Sequence, residues 1–302
     1  MRPHSARDMP SRLIIGLLLG LGAAIIWGGH AVVARLALNG QGFHVLDLGA
    51  TRYIPTGIIL APIAWRIRHR LRELGPWRML LLVAMGGVGN QLTFVSGLQW
   101  APASHGGTIS PMIGPVVAAI AGWVLLGERP TRGRIMALGV MVAGVLLIGW
   151  EGLASDRPDV WKGDLLLLVA GATWGVFGAL LRLWQLPAIP AASAVAVASA
   201  ILVTPPWIAL AAQDFLALPW QLQLWMTLAQ GLMLGILAMG MFARSLDLLG
   251  PTRASTISVF VPVSALLLAW LILDETMGPL QLIGATIAVS GMLAAVLFTG
   301  RR

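Results

Sequence analysis

Residues 23–35 read AAIIWGGHAVVAR and residues 170–182 read AGATWGVFGALLR. Both carry Trp-Gly at the same place, Trp27-Gly28 and Trp174-Gly175, and both end on an arginine, Arg35 and Arg182. Each matched pair is 147 residues apart. The offset holds beyond these stretches: Gly16, Trp123, Glu128 and Gly144 match Gly163, Trp270, Glu275 and Gly291. Trp, Arg and Glu are scarce in so apolar a chain, so the match reads as a duplicated half. The two units are expected at 1–150 and 151–302.

Composition places both halves in a membrane. The chain is 58% hydrophobic and 11% charged, with mean hydropathy +0.85. An ordinary soluble domain is excluded. Without cysteine there is no disulfide, thiol nucleophile or thiolate metal site. Ten apolar stretches approach the roughly 20 residues that cross a bilayer. They run over 13–37, 45–65, 79–99, 104–126, 134–150, 163–183, 190–212, 222–246, 253–273 and 279–298. The first is too long for a cleaved signal core. Five spans per half is an odd number, so the second copy must be inverted. The expected fold is an all-α membrane protein of ten transmembrane helices, two inverted five-helix repeats around a central cavity.

Arginine sets the orientation. With the N-terminus inside, 16 of the 20 basic residues fall on the inner side. They include Arg2, Arg7, Arg12, the run Arg66 to Arg78, Arg129, Arg132, Arg134, Arg301 and Arg302. Arg35, Arg52, Arg157 and Lys162 remain outside, beside the acidic Glu151, Asp156, Asp159 and Asp164. This predicts a multi-pass protein of the cell inner membrane with both termini cytoplasmic and the 151–162 loop external.

The chain resembles the drug/metabolite transporter superfamily, EamA type. The resemblance rests on the two five-helix halves, the Trp-Gly pair opening each, and Leu126-Gly127-Glu128-Arg129-Pro130, echoed by Leu273-Asp274-Glu275-Thr276. It covers essentially the whole chain. It implies a ten-helix exporter of small metabolites, with one branch moving amino acids, aromatic ones included. The second-half motif departs from the Gly-Glu-Arg form.

Polar groups at membrane depth are costly unless they face a cavity or a partner. Asn90 and Gln91 sit at the middle of the third span; they can line the cavity or bond between helices. Trp27 and His30 share a face of the first helix, matched by Trp174 and Phe177 in the sixth. An indole could stack on a ring or cap a cation; plain packing is the alternative. His30 could bind substrate or shuttle a proton. Gln230 lies in the outer half of the eighth span. Arg52 is expected to snorkel to the outer interface; pairing with Asp47 or with a substrate carboxylate is the alternative. Thr108 and Ser110 recur as Thr256 and Ser258, followed by Pro115 and Pro262, which are hinges or static kinks. The candidate substrate contacts are therefore Trp27, His30, Asn90, Gln91, Thr108, Ser110, Trp174, Phe177, Gln230 and Ser258.

Catalytic readings find little support. No mid-span carboxylate pair marks acid–base chemistry. The five histidines show no metal spacing, and no phosphate-binding glycine loop carries a lysine. No catalytic residue, metal or cofactor is expected, and no nucleic-acid partner; the partners are a small-molecule substrate and the lipid bilayer. The reading is a secondary transporter that exports small neutral or zwitterionic metabolites, amino acids including aromatic ones, by alternating access. A membrane-embedded enzyme or a non-transporting membrane subunit is the alternative.

Overall fold

The computed structural model describes residues 9–154 and 159–299. Expectations resting on Arg2, Arg7, Asp156, Arg157, Arg301 and Arg302 lie outside the described residues. The first half comprises α1 (Met9–Gly40), α2 (Val45–Arg66), α3 (Arg68–Leu74), α4 (Pro76–Gly86), α5 (Val88–Gly97), α6 (Ala103–Leu126) and α7 (Arg132–Ala154). The second comprises α8 (Val160–Leu183), α9 (Ala188–Leu210), α10 (Ala212–Ala217), α11 (Trp220–Thr227), a π-helical stretch (Leu228–Leu237), α12 (Ala238–Leu249), α13 (Pro251–Ile257), α14 (Phe260–Leu273) and α15 (Pro279–Thr299).

All ten expected spans are helical. Among the described residues, eight helices are long and apolar enough to cross a membrane, and α14 is a shorter apolar one. Helix α2 completes the ten; Asp47, Arg52 and Arg66 dilute its apolar character. The protein is a multi-pass membrane protein.

Three spans are interrupted. The third breaks at Gly87, between α4 and α5. The eighth carries the π-helical turns. The ninth breaks at Ser258–Val259, between α13 and α14. The two matched prolines thus differ in context. Pro115 sits inside the unbroken α6, whereas Pro262 sits in the first turn of α14, where its missing N–H costs little.

The halves interlock. The most extensive pairings are α7 with α15, α2 with α9, α6 with α8, and α1 with α12 and α14. Lipid removes most of the hydrophobic drive between helices, so close backbone approach must hold them together. Glycine permits it symmetrically. A Cβ on Gly28 of α1 would lie 2.7 Å from the Val261 carbonyl oxygen and 2.8 Å from the Ala265 nitrogen of α14. A Cβ on Gly175 of α8 would lie 2.5 Å from the Gly114 oxygen and 2.9 Å from the Ala118 nitrogen of α6. Gly144 meets Gly284 and Ala288, while Gly291 meets Ala137 and Met141. All four contacts map onto each other at the 147-residue offset. The tryptophan of each Trp-Gly pair therefore stands beside a close helix crossing of its half.

The second echoed motif closes helices. Helix α6 ends on Gly127 at φ +69° and α14 on Asp274 at φ +51°, both left-handed. The next amide returns to a carbonyl six residues back, Glu128 to Gly122 and Glu275 to Ala269, a helix-ending pattern. Each glutamate then ties the two halves. The Glu275 carboxylate accepts from the Ala103 and Ser104 amides at 2.9 and 3.0 Å, which caps α6. Glu128 accepts from Arg182 at 2.7 Å. Glycine adopts the left-handed position freely, and Asp tolerates it at a cost. Asp274→Gly is therefore expected to raise stability by about 0.5–1 kcal/mol, read as a higher melting temperature in detergent. An unchanged or lower value would show that the Asp274 side chain compensates for the strain.

Candidate functional site

The break at Gly87 organises the polar groups. A Cβ on Gly86 would lie 2.3 Å from the Phe177 ring, and one on Gly87 would lie 2.4 Å from the Ser199 hydroxyl. That hydroxyl accepts from the freed Val88 amide at 3.0 Å, so the backbone of the break is satisfied by α9. Asn90 and Gln91 follow in the first turn of α5. Breaks of this kind place polar groups at membrane depth in transporters.

Gln91 is buried and joins three helices. Its Oε1 accepts from Arg52 Nη1 of α2 at 2.6 Å. Its Nε2 lies 3.3 Å from Nε2 of His30 on α1. Arg52 fixes the amide orientation, so Gln91 is the donor towards His30 and the imidazole Nε2 accepts. The His30 ring stacks on Phe94 at 4.8 Å. Arg52 also lies 5.6 Å over the Tyr53 ring. Among the described residues it makes no ion pair. Its guanidinium is half-buried about 10 Å along α2 from the helix start.

The expected outward or Asp47-paired Arg52 is thus corrected. Asp47 is taken twice over: it accepts from its own N-cap amide at 2.7 Å and from Trp207 Nε1 at 2.8 Å. With Asp47 occupied, the Gln91 amide oxygen is the acceptor that the guanidinium takes.

The remaining candidates are spread around this centre. Asn90 donates to the Ala170 carbonyl at 2.6 Å and to the Thr173 hydroxyl at 2.9 Å, so its nitrogen ties α5 to α8. Next to Thr173, the Trp174 ring is 53% exposed and 5.4 Å from Phe177. Phe177 is buried over Gly86. Trp27 tilts against Phe242 at 5.1 Å. Gln230 is buried within the π-helical stretch, and neither end of its amide finds a partner. The neighbouring Gly231 packs on the Thr51 carbonyl and Pro55, which brings Gln230 beside the α2 turn carrying Arg52. π-Helical turns often mark functional positions.

Three candidates have no hydrogen bond to this centre. Thr108 is fully buried and donates to the Ser104 and His105 carbonyls. Ser110 is where α6 passes Gly171 of α8 at backbone distance. Ser258 occupies the α13–α14 break, with its carbonyl accepting from Val261. The fold therefore joins His30, Gln91 and Arg52 directly, ties Asn90 to the α8 turn that carries Trp174, and gives the hydroxyl residues no hydrogen bond to that trio.

One pair was not foreseen. His105 Nδ1 lies 2.7 Å from Asp164 Oδ1, joining α6 to α8, with both side chains buried. Asp164 belongs to the second turn of α8 rather than to an exposed acidic loop. Among the described residues no cluster of His, Asp and Glu could hold a metal ion.

Comparison with known proteins agrees with the repeat. Residues 14–150 and 161–297 each match the EamA-like transporter family. An uncharacterized transporter of Bacillus subtilis, YwfM, is 26% identical over 282 residues, covering 90% of each chain. An uncharacterized protein of Pseudomonas aeruginosa is 28% identical over 299 residues, covering 96% of each. A solved crystal structure superposes with TM-score 0.57 at 18% identity, over 93% of this chain and 98% of that one. That likeness shows a shared fold.

Proposed function

The chain belongs to the EamA-like transporter family, and from that premise we propose that it exports small zwitterionic metabolites, amino acids including aromatic ones, by alternating access. The observation that carries this reading is the Arg52 guanidinium. It is a fixed cation at membrane depth, hydrogen-bonded to a neutral amide and without an ion-pair partner among the described residues. An ionisable side chain at membrane depth marks a substrate path by default. A carboxylate satisfies it with two parallel hydrogen bonds. Trp174, Trp27 and Phe242 supply aromatic faces for the side chain of such a substrate. The unpaired amide of Gln230 offers a donor and an acceptor to its polar end.

We propose further that it sits in the inner membrane with both termini cytoplasmic, an orientation that the positive-inside split supports. In this reading 1–150 and 151–302 are the repeat units, and the broken third and ninth spans, with Pro262 beside the second break and Pro115 in the intact α6, are where the two access states exchange.

Counterflow in proteoliposomes tests the substrate class. Vesicles loaded with an unlabelled aromatic amino acid should accumulate the labelled one from outside, and those loaded with its carboxamide should do so poorly. Arg52→Gln should weaken apparent affinity for the amino acid roughly 10- to 100-fold, the worth of a charged hydrogen bond. The carboxamide should be affected much less. Equal losses for both would remove Arg52 from the carboxylate site, and no counterflow across an amino-acid panel would remove the substrate class.

A further inference from the structure

A polar pocket lies among residues other than those of the Arg52 centre. It has a volume of about 410 Å³ and opens between α3, α4 and the α8–α9 turn, lined by Arg70, Glu73, Leu74, Arg78, Trp184 and Leu186 among others. Gly75, at φ +82°, makes the sharp turn that sets Arg70 and Glu73 of α3 opposite Arg78 of α4. The size suits a small polar molecule or a lipid headgroup.

Its charges are of both signs and do not neutralise each other. Among the described residues Glu73 makes no ion pair with Arg70 or Arg78. Arg78 instead sits 5.6 Å over the Trp184 ring. Two guanidiniums form a phosphate site, and a separate carboxylate accepts from an ammonium. Leucines line the same space, at the end of the bundle that carries the run Arg66 to Arg78. Basic pockets at this interface bind lipid headgroups.

We propose that this cavity binds the headgroup of an aminophospholipid, the phosphate on Arg70 and Arg78 and the primary ammonium on Glu73. Other headgroups fit less well. A phosphatidylglycerol head leaves the Glu73 carboxylate facing no cation. A choline head cannot donate a hydrogen bond to Glu73, and the Trp184 face that would take it is occupied by Arg78. A soluble phosphoethanolamine ester shares the chemistry but leaves the leucines uncovered.

The test uses the full-length protein in detergent, with melting temperature followed against added phosphatidylethanolamine, phosphatidylcholine, phosphatidylglycerol or soluble glycerophosphoethanolamine. A bound ligand adds stability that grows with its concentration. Phosphatidylethanolamine should give a saturable rise, the other two lipids a smaller one, and the soluble ester little. Glu73→Gln should weaken phosphatidylethanolamine about 10-fold and abolish its advantage over phosphatidylglycerol. Arg70→Gln with Arg78→Gln should weaken both lipids. The three charged side chains are exposed, so the variants should fold; native mass spectrometry of the wild type, counting retained phosphatidylethanolamine in a mixed-lipid extract, gives an independent reading. Equal rises with all three lipids, or variants that keep the full phosphatidylethanolamine increment, would overturn the proposal. A soluble ester as effective as the lipid would also overturn it, by assigning the cavity to a soluble phosphoester.

Discussion

Gly28→Ala and Gly175→Ala should each leave little folded protein, whereas Gly178→Ala, one turn beyond Gly175, should be neutral or mildly stabilising. At Gly28 the added carbon would stand 2.1 Å from the Ser264 hydroxyl and within 3 Å of backbone atoms of α14. At Gly175 it would meet the α6 backbone at 2.5 Å. Backbone cannot swing aside as a side chain can, so the helices must separate. Separation forfeits the close packing that holds helices together in lipid. Overpacking of this severity costs about 3 kcal/mol or more per site. A Cβ at Gly178 meets nothing within 4 Å, and replacing a helical glycine there gains about 0.5–1 kcal/mol. Melting temperature and the monodisperse fraction in detergent read the difference. If all three variants behave alike, the α1–α14 and α8–α6 crossings are wider than the structure shows.

The same contacts explain what could be read from sequence. The 147-residue offset marked positions that have one geometric job in both halves. Gly28 and Gly175 recur because only glycine fits the crossing. Gly127 and Asp274 recur because both close a helix in left-handed geometry, which is why aspartate could replace glycine in the second motif. Glu128 and Glu275 recur because each reaches from a helix end to the other half. Ten spans were legible because length and apolarity are local properties of the chain.

The site was legible only in part, because its partners come from distant segments. Depth alone picked out Gln91 and His30, but no local signal says that Arg52, 39 residues earlier, donates to Gln91. The break at Gly87 falls in the run Gly86-Gly87-Val88-Gly89, which carries three glycines and no proline. A ring was needed to fill that space, and Phe177 fills it, so a residue that read as a substrate contact also packs the break. The π-helical turns around Gln230 have no sequence signature here; the apolar pattern is the same as that of an α-helix.

The His105–Asp164 pair should behave as a coupled unit of large effect. His105→Leu removes the partner of the Asp164 carboxylate, whose Oδ2 already lacks one, and leaves a buried charge with neither oxygen satisfied. Asp164→Leu leaves the buried imidazole without its acceptor. Breaking a buried pair from one side costs roughly 3–5 kcal/mol. Removing both should cost far less, because no unpaired polar group remains and leucine packs at the α6–α8 contact. The other charges at this end already have partners: Glu275 on the first α6 amides, Lys162 on Asp159, and Arg35 on the Leu98 carbonyl. None is therefore free to rescue a single variant. A double-mutant cycle on melting temperature isolates the pairwise term. Expected is a coupling of several kcal/mol, with the double variant more stable than either single one. Additive losses would mean that the two side chains do not meet in the membrane, and that α6 and α8 are joined at that end by glycine packing alone.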